Sequence, residues 1–176
     1  QTNKQTLLIQ YKPFKREDNI AFEIHPYHLK QYNNRWFLFC LNEENNFITN
    51  IALDRIVSLT ESKIHYKQNI VLDFEEYFDD VIGVSVPYDE ATHKVILKID
   101  KDQWPYIKTK PLHGSQKIKE ETENYTIIEL ELLLNYELEA LILSYGEKLE
   151  VLKPPNLRDS IINKIKILNK KYNSAE

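Results

Sequence analysis

Three short runs bring together the residue types that hold flat anions: Ile24-His25-Pro26-Tyr27-His28-Leu29-Lys30, Arg35-Trp36-Phe37-Leu38-Phe39 and Leu53-Asp54-Arg55-Ile56. A guanidinium forks onto phosphate or carboxylate through two parallel N–H bonds, and an aromatic plane stacks on a base or on the guanidinium itself. Of the four arginines, Arg16, Arg35 and Arg55 fall in the first 67 residues, so an anion site is expected there. Arg55 stands at a strand edge, either forked onto a phosphate or paired with a carboxylate such as Asp54. Tyr27 and His28 follow a proline that fixes an extended entry, so their side chains are placed to line a groove mouth. Arg35 opens a strand and reads as a ligand contact or a solvated charge. Trp36 and Phe37 read first as core rings and second as a stacking platform. His25 reads equally as a ligand contact and as a satisfied core histidine.

Composition excludes several other chemistries. Only three glycines occur, Gly83, Gly114 and Gly146, which rules out glycine-rich phosphate loops. His25 and His28 are three apart with a proline between them, and alternation along a strand would not aim both at one ion, so no metal site is expected. No serine lies in a Gly-x-Ser-x-Gly elbow. Cys40 lies in an apolar strand and reads as inert packing, and a lone cysteine fits a reducing, cytoplasmic setting. No catalytic residue and no cofactor are expected. No apolar run approaches a membrane span and no secretory leader is visible. Net charge is −4, divided as 9 Lys+Arg against 7 Asp+Glu in residues 1–67 and 14 against 20 in the remainder. Neither part has the basic excess of a duplex-DNA reader. The absence of methionine, even at position 1, suggests a piece of a longer protein.

The elements that must position these residues are β in the first part. Thr6–Lys12 alternates, Ile20, Phe22 and Ile24 recur every second residue, and Arg35–Leu41 is apolar on both faces. Asn42–Asn46 reads as a turn, with Asn45-Asn46 able to take positive φ. Phe47–Leu53 and Arg55–Leu59 complete about five short strands, a spacing that suggests a small closed barrel. Asp73–Val81 shifts to helical period, with Asp73 and Glu76 as a capping pair and a stop near Gly83. Beyond it, Lys94–Asp100, Tyr125–Leu132 and Leu149–Leu152 read as strands, and Asp102–Lys110 as a short or irregular helix. Tyr136–Glu147 reads as a helix closed by Gly146. A last helix is capped by Asn156, with a stripe of Leu157, Ile161, Ile165, Leu168 and Tyr172.

In order along the chain, these segments resemble the WYL domain of bacterial transcriptional regulators and its C-terminal WCX extension. The naming Trp-Tyr-Leu strand is Trp36-Phe37-Leu38 here. Tyr11-Lys12-Pro13-Phe14, the His25–Lys30 run, Leu53-Asp54-Arg55-Ile56 and Asp73-Phe74-Glu75-Glu76-Tyr77-Phe78 with Gly83 resemble the flanking WYL elements. Pro111-Leu112-His113-Gly114-Ser115-Gln116, Leu149-Glu150-Val151-Leu152, Pro154 and Leu157-Arg158 resemble WCX. The resemblance implies an α+β chain: a small Sm-like, SH3-type β-barrel (residues 1–67), a short linker helix (68–85) and a small α+β sandwich (86–176).

It also implies a non-catalytic sensor that binds a nucleotide or oligonucleotide effector and acts as a homodimer. DNA would be touched only through a winged helix-turn-helix not visible in this chain. His113, Ser115 and Gln116 are offered as effector contacts, or simply as the residues that cap the turn at Gly114. The family pattern has an arginine where this chain has Thr49, which lowers the expected phosphate affinity and favours a smaller or less charged effector. Two other functions stay open: a ligand-free dimerisation module, and an enzyme on nucleic acid whose carboxylates hold magnesium.

Overall fold

The structure is a computed structural model that describes residues 4–70 and 72–173; the expected domain ends at 1–3 and 174–176, and residue 71 of the expected linker, lie outside the described residues. The chain divides into two compact units, residues 1–77 and 78–176. It has mixed α and β structure built on two antiparallel sheets.

The first unit is a five-stranded sheet of β1 (Leu7–Tyr11), β2 (Ile20–Tyr32), β3 (Arg35–Asn42), β4 (Ile48–Ala52) and β5 (Ile56–Glu61), in the order β4-β3-β2-β1-β5. No ladder joins β4 to β5 among the described residues, so the closed barrel expected from strand spacing is not formed by hydrogen bonding. A 3-10 turn, Leu53–Arg55, links those two strands and carries Arg55 at its end. One sheet face buries Ile9, Tyr11, Phe22, Ile24, Leu38, Cys40 and Ile51 in a single cluster.

Strand β2 runs for 13 residues straight through Pro26. Pro26 lies just past the β1 ladder, which ends at Ile24, so only β3 pairs with it, and a bulge accompanies it: register passes from Pro26↔Cys40 to His28↔Phe39 with Tyr27 left over. The extra residue puts His28 on the same face as His25, where strict alternation would separate them. At the far end Asn33 (φ 47) and Asn34 (φ 61) form the two-residue turn into β3, both in the left-handed region that asparagine tolerates. Asn46 also has positive φ (57), as its turn composition suggested.

The expected helix at Asp73–Val81 is absent; residues 74–80 are turns. Asp73 does act as a local cap, its side chain accepting from Glu75 N–H at 2.8 Å. One helix-type bond survives, from Tyr77 N–H to Asp73 O at 2.8 Å, and within the first unit Phe74 and Tyr77 both pack on Phe39, at 6.1 Å each between ring centroids. Tertiary burial of rings outweighs the propensity of a two-turn segment.

The second unit is a four-stranded sheet, order β7-β8-β6-β9, formed by β6 (His93–Asp100), β7 (Lys117–Glu121), β8 (Tyr125–Leu132) and β9 (Leu149–Lys153). Helices α1 (Trp104–Thr109), α2 (Tyr136–Ser144) and α3 (Pro155–Asn173) share one cluster with the inward face of this sheet. Val95, Leu97 and Ile99 of β6 and Ile128, Leu130 and Leu132 of β8 are fully buried, as alternation requires of a sheet covered on one side. Helix α3 begins at Pro155 and Asn156 lies inside its first turn, so Asn156 is not the cap. Proline suits the first helical position, where the missing N–H would be unpaired anyway. No helix among the described residues is long and apolar enough to cross a membrane.

Candidate functional site

The sequence-predicted residues scatter over three places. His25 is fully buried. Its Nδ1 accepts from the backbone N–H of Lys67 and from Thr6 Oγ1, both at 3.1 Å. Accepting there puts the ring proton on Nε2, which donates to Glu43 at 2.5 Å. Both ring nitrogens are thus used inside the unit, the satisfied-core arrangement. Tyr27 donates its hydroxyl to Lys67 O at 3.0 Å and meets Tyr66 edge-on. Pro26 O accepts from Tyr66 at 2.9 Å. His28 stacks flat on Phe74 (4.9 Å, 7°), and burial, then Lys30, lowers its pKa from the ordinary histidine value. These three residues fasten the segment after β5 to the sheet.

Glu43 completes that fastening. Lys67 Nζ first, and then the His25 ring N–H, hold its carboxyl below the usual glutamate range. A carboxylate with a depressed folded pKa contributes stability above its unfolded pKa and loses it as pH falls through the folded one. Wild type is therefore expected to lose more stability than Glu43→Gln between about pH 7 and about pH 3 in urea unfolding. Parallel pH profiles would remove Glu43 from the fastening.

Trp36 is a correction. It is 48 % exposed, not core, because it sits at the tip of the β2–β3 hairpin opposite Gln31, beyond the reach of the cluster. Phe37 is half-buried. Cys40 is buried and its thiol is pushed up to about 12 by desolvation, as inert packing requires. In the second unit, His113, Ser115 and Gln116 close their own turn. His113 Nδ1 lies 2.9 Å from Ser115 Oγ, Glu131 N–H donates to that Oγ at 3.0 Å, and Gln116 Oε1 accepts from Leu112 N–H at 2.9 Å.

Arg55 is placed differently. Asp54, its neighbour, pairs instead with Arg35 (3.2 Å), both partners being half-exposed. The guanidinium carbon of Arg55 lies 4.9 Å from the centroid of Tyr11 and 4.5 Å from that of Phe14, a cation between two rings. Its Nε is buried and has no hydrogen-bond partner among the described residues. Beside it opens a cavity of about 330 Å³ lined by Lys12, Pro13, Phe14, Arg16, Asp54, Arg55, Ile56 and Val57. Lys12 N–H donates to Arg55 O at 3.0 Å and pins the loop after β1 against the 3-10 turn. No carboxylate lies within ion-pair distance of Lys12, Arg16 or Arg55 among the described residues.

Three cations, one exposed ring and a single carboxylate already engaged elsewhere make a site suited to an anion. Lys12, Phe14 and Arg16 were missed as site residues. Their signal was the Lys12-Pro13-Phe14-Lys15-Arg16 run itself, a cationic and aromatic loop directly after a strand. Among the described residues no cluster of three or more His, Cys, Asp or Glu could hold a metal.

Profiles of two known domains match the chain: a WYL domain over residues 2–61 and a WCX domain over residues 91–168. The chain thus carries a WYL domain followed by a WCX domain. The WYL match holds the sheet, Arg55 and the cavity, and the WCX match holds the second sheet with α1 and α2. Among solved structures, this WYL–WCX chain is similar to proteasome accessory factor B/C (PafBC) of Arthrobacter aurescens, at 16 % identity and a TM-score of 0.37 over 93 % of this chain and 24 % of that one. It is also similar to a CRISPR Cas-related protein, at 12 % identity and a TM-score of 0.56 over 98 % of this chain and 49 % of that one. At such identity the second likeness speaks to the fold alone. The WYL–WCX chain thus spans about a quarter and about half of those two chains. No curated protein sequence matches it.

Proposed function

We propose that the chain is the effector-sensing part of a transcriptional regulator, and that its signal is a compact, nucleotide-like anion held in the cavity beside Arg55. Supporting this is one observation above the rest: Arg55 is ring-flanked, has no carboxylate partner and carries a buried Nε with no acceptor among the described residues. WYL and WCX domains belong to regulators, and the sensor reading needs no catalytic residue. In a regulator, DNA would be touched by a separate domain, and the effector would have to bind the DNA-competent and incompetent forms unequally. A cytoplasmic setting and a homodimer go with this reading. For the dimer, α3 offers exposed Ile162, Ile165, Leu168 and Tyr172, and light scattering at graded concentration tests it.

The anion site is tested by titrating the chain with AMP and with a short single-stranded oligonucleotide at several salt concentrations. Three lining cations predict a slope of log K against log salt of about −2 for the single strand. A melting temperature that neither compound shifts, with no binding at low salt, would overturn the reading.

A further inference from the structure

We propose that Phe14 is a displaceable cover on Arg55, and that an incoming oxyanion seats by lifting this ring and accepting side-on from the Nε–H edge of the guanidinium. The proposal rests on the anion-site reading and adds how that site opens and what geometry it selects.

The two rings that flank Arg55 are unequal. Tyr11 belongs to β1, is 8 % exposed and is part of the core cluster, so it is a fixed wall. Phe14 is 75 % exposed, follows Pro13 in the loop between β1 and β2, and touches the guanidinium at the shorter distance, 4.5 Å. A large apolar ring held that far out in water has little burial to lose on moving. Nε, bonded to the guanidinium carbon that this ring approaches, is buried and without an acceptor among the described residues. A buried N–H without a partner is uncommon in folded proteins and points to a missing one.

The edge formed by Nε–H and one terminal N–H presents two parallel donors, the arrangement that takes two oxygens of a single carboxylate or phosphoryl group. Lys12 and Arg16 line the same cavity and have no carboxylate partner among the described residues, and Asp54 is taken by Arg35. That surplus of positive charge favours a phosphoryl group, which carries more than one negative charge, over a carboxylate. The backbone bond from Lys12 N–H to Arg55 O fixes the loop on the near side of Pro13, so the movement is confined to the residues after it.

The experiment is a calorimetric titration of the whole chain with inorganic pyrophosphate, for wild type, Phe14→Ala and Arg55→Lys. It is joined to nitrogen-15 spectra of the arginine Nε–H groups, with the Arg55 signal identified by its loss in Arg55→Lys. Expected are Arg55-dependent binding, a downfield move of the Arg55 Nε–H on adding pyrophosphate, and binding about fivefold tighter in Phe14→Ala, where no ring–cation contact has to be broken first. If wild type binds through Arg55 but Phe14→Ala binds equally or more weakly, or the Nε–H signal stays put, the cover is wrong while the anion site stands. If no variant binds pyrophosphate, the site reading fails and the cover fails with it.

Discussion

Arg55→Ala is expected to weaken nucleotide binding by at least about tenfold while leaving the domain folded. Hydrogen bonds to charged groups contribute about 1.5–3 kcal/mol, and every ~1.4 kcal/mol is a factor of ten in affinity. The fold should survive because the guanidinium makes no hydrogen bond or ion pair among the described residues; its side chain contributes only its contacts with Tyr11 and Phe14. Ring–cation contacts are worth about 0.5–1 kcal/mol where exposed, as at Phe14, and about 2 kcal/mol where desolvated, as at Tyr11, together a change of several degrees in melting temperature. The removal even takes away a buried donor that lacks an acceptor, which works in the opposite direction. Binding measured by fluorescence titration, beside thermal unfolding of the same samples, separates the two effects. Undiminished affinity in a folded Arg55→Ala would take Arg55 out of the site; a large loss of stability would show that the ring sandwich is structural.

What could be read from the sequence, and what could not, divides along periodicity. Strands β6 and β8 declare themselves because Val95, Leu97 and Ile99, with Ile96 and Lys98 between them, and Ile128, Leu130 and Leu132, with Glu129 and Glu131 between them, recur every second residue over a helix-covered sheet. Helix α2 likewise shows Leu138 and Ile142 on its buried stripe, and Asn135, just before it, accepts from Leu138 N–H as a side-chain cap. Strand β7, Lys117–Glu121, was invisible: every residue is exposed, so no burial pattern marks it. The full length of β2 was hidden by Pro26, since a sequence does not show that a bulge will absorb a proline.

The same logic explains the site. Arg55 could be found because its run resembles a family element and its chemistry is distinctive. Its companions Lys12 and Arg16 lie in an irregular loop, and only the tie from Lys12 N–H to Arg55 O carries that loop to the 3-10 turn. His25 reads from sequence equally as a ligand contact and as a core histidine; it is held as the latter because Glu43 after β3 takes one ring nitrogen and Thr6 and Lys67 take the other. Residue type indicates what a side chain can do; the long-range partners decide whether it is free to do it.

Gly83→Ala is expected to be the most damaging small substitution in the second unit, at about 3 kcal/mol or more. Two independent costs meet there. Gly83 has φ +91, where an L side chain is strained by ~1–3 kcal/mol. An added Cβ would also stand 2.6 Å from Glu137 Cγ and 2.8 Å from its Cβ. Glu137 has little freedom to yield, since its Oε1 accepts from Ser85 Oγ at 2.7 Å and from Ser85 N–H at 3.2 Å, and α2 holds its backbone. Asn135 grips the same segment through Ile82 O and Ser85 O, each at 2.8 Å. The other glycines supply the controls. Gly146 has φ +58 but open space around it, so its alanine variant should show the backbone cost alone, about 1 kcal/mol. Gly114 has neither a positive φ nor a neighbour within 4 Å, so alanine there should be close to neutral. Urea unfolding of the three variants tests the ladder. Adding Glu137→Ala to Gly83→Ala should cost less than the two single losses summed, because the contacts with Cγ and Cδ disappear while the 2.8 Å approach to Cβ and the dihedral strain remain. A strictly additive double mutant would show that the Glu137 side chain is not what the added methyl group meets.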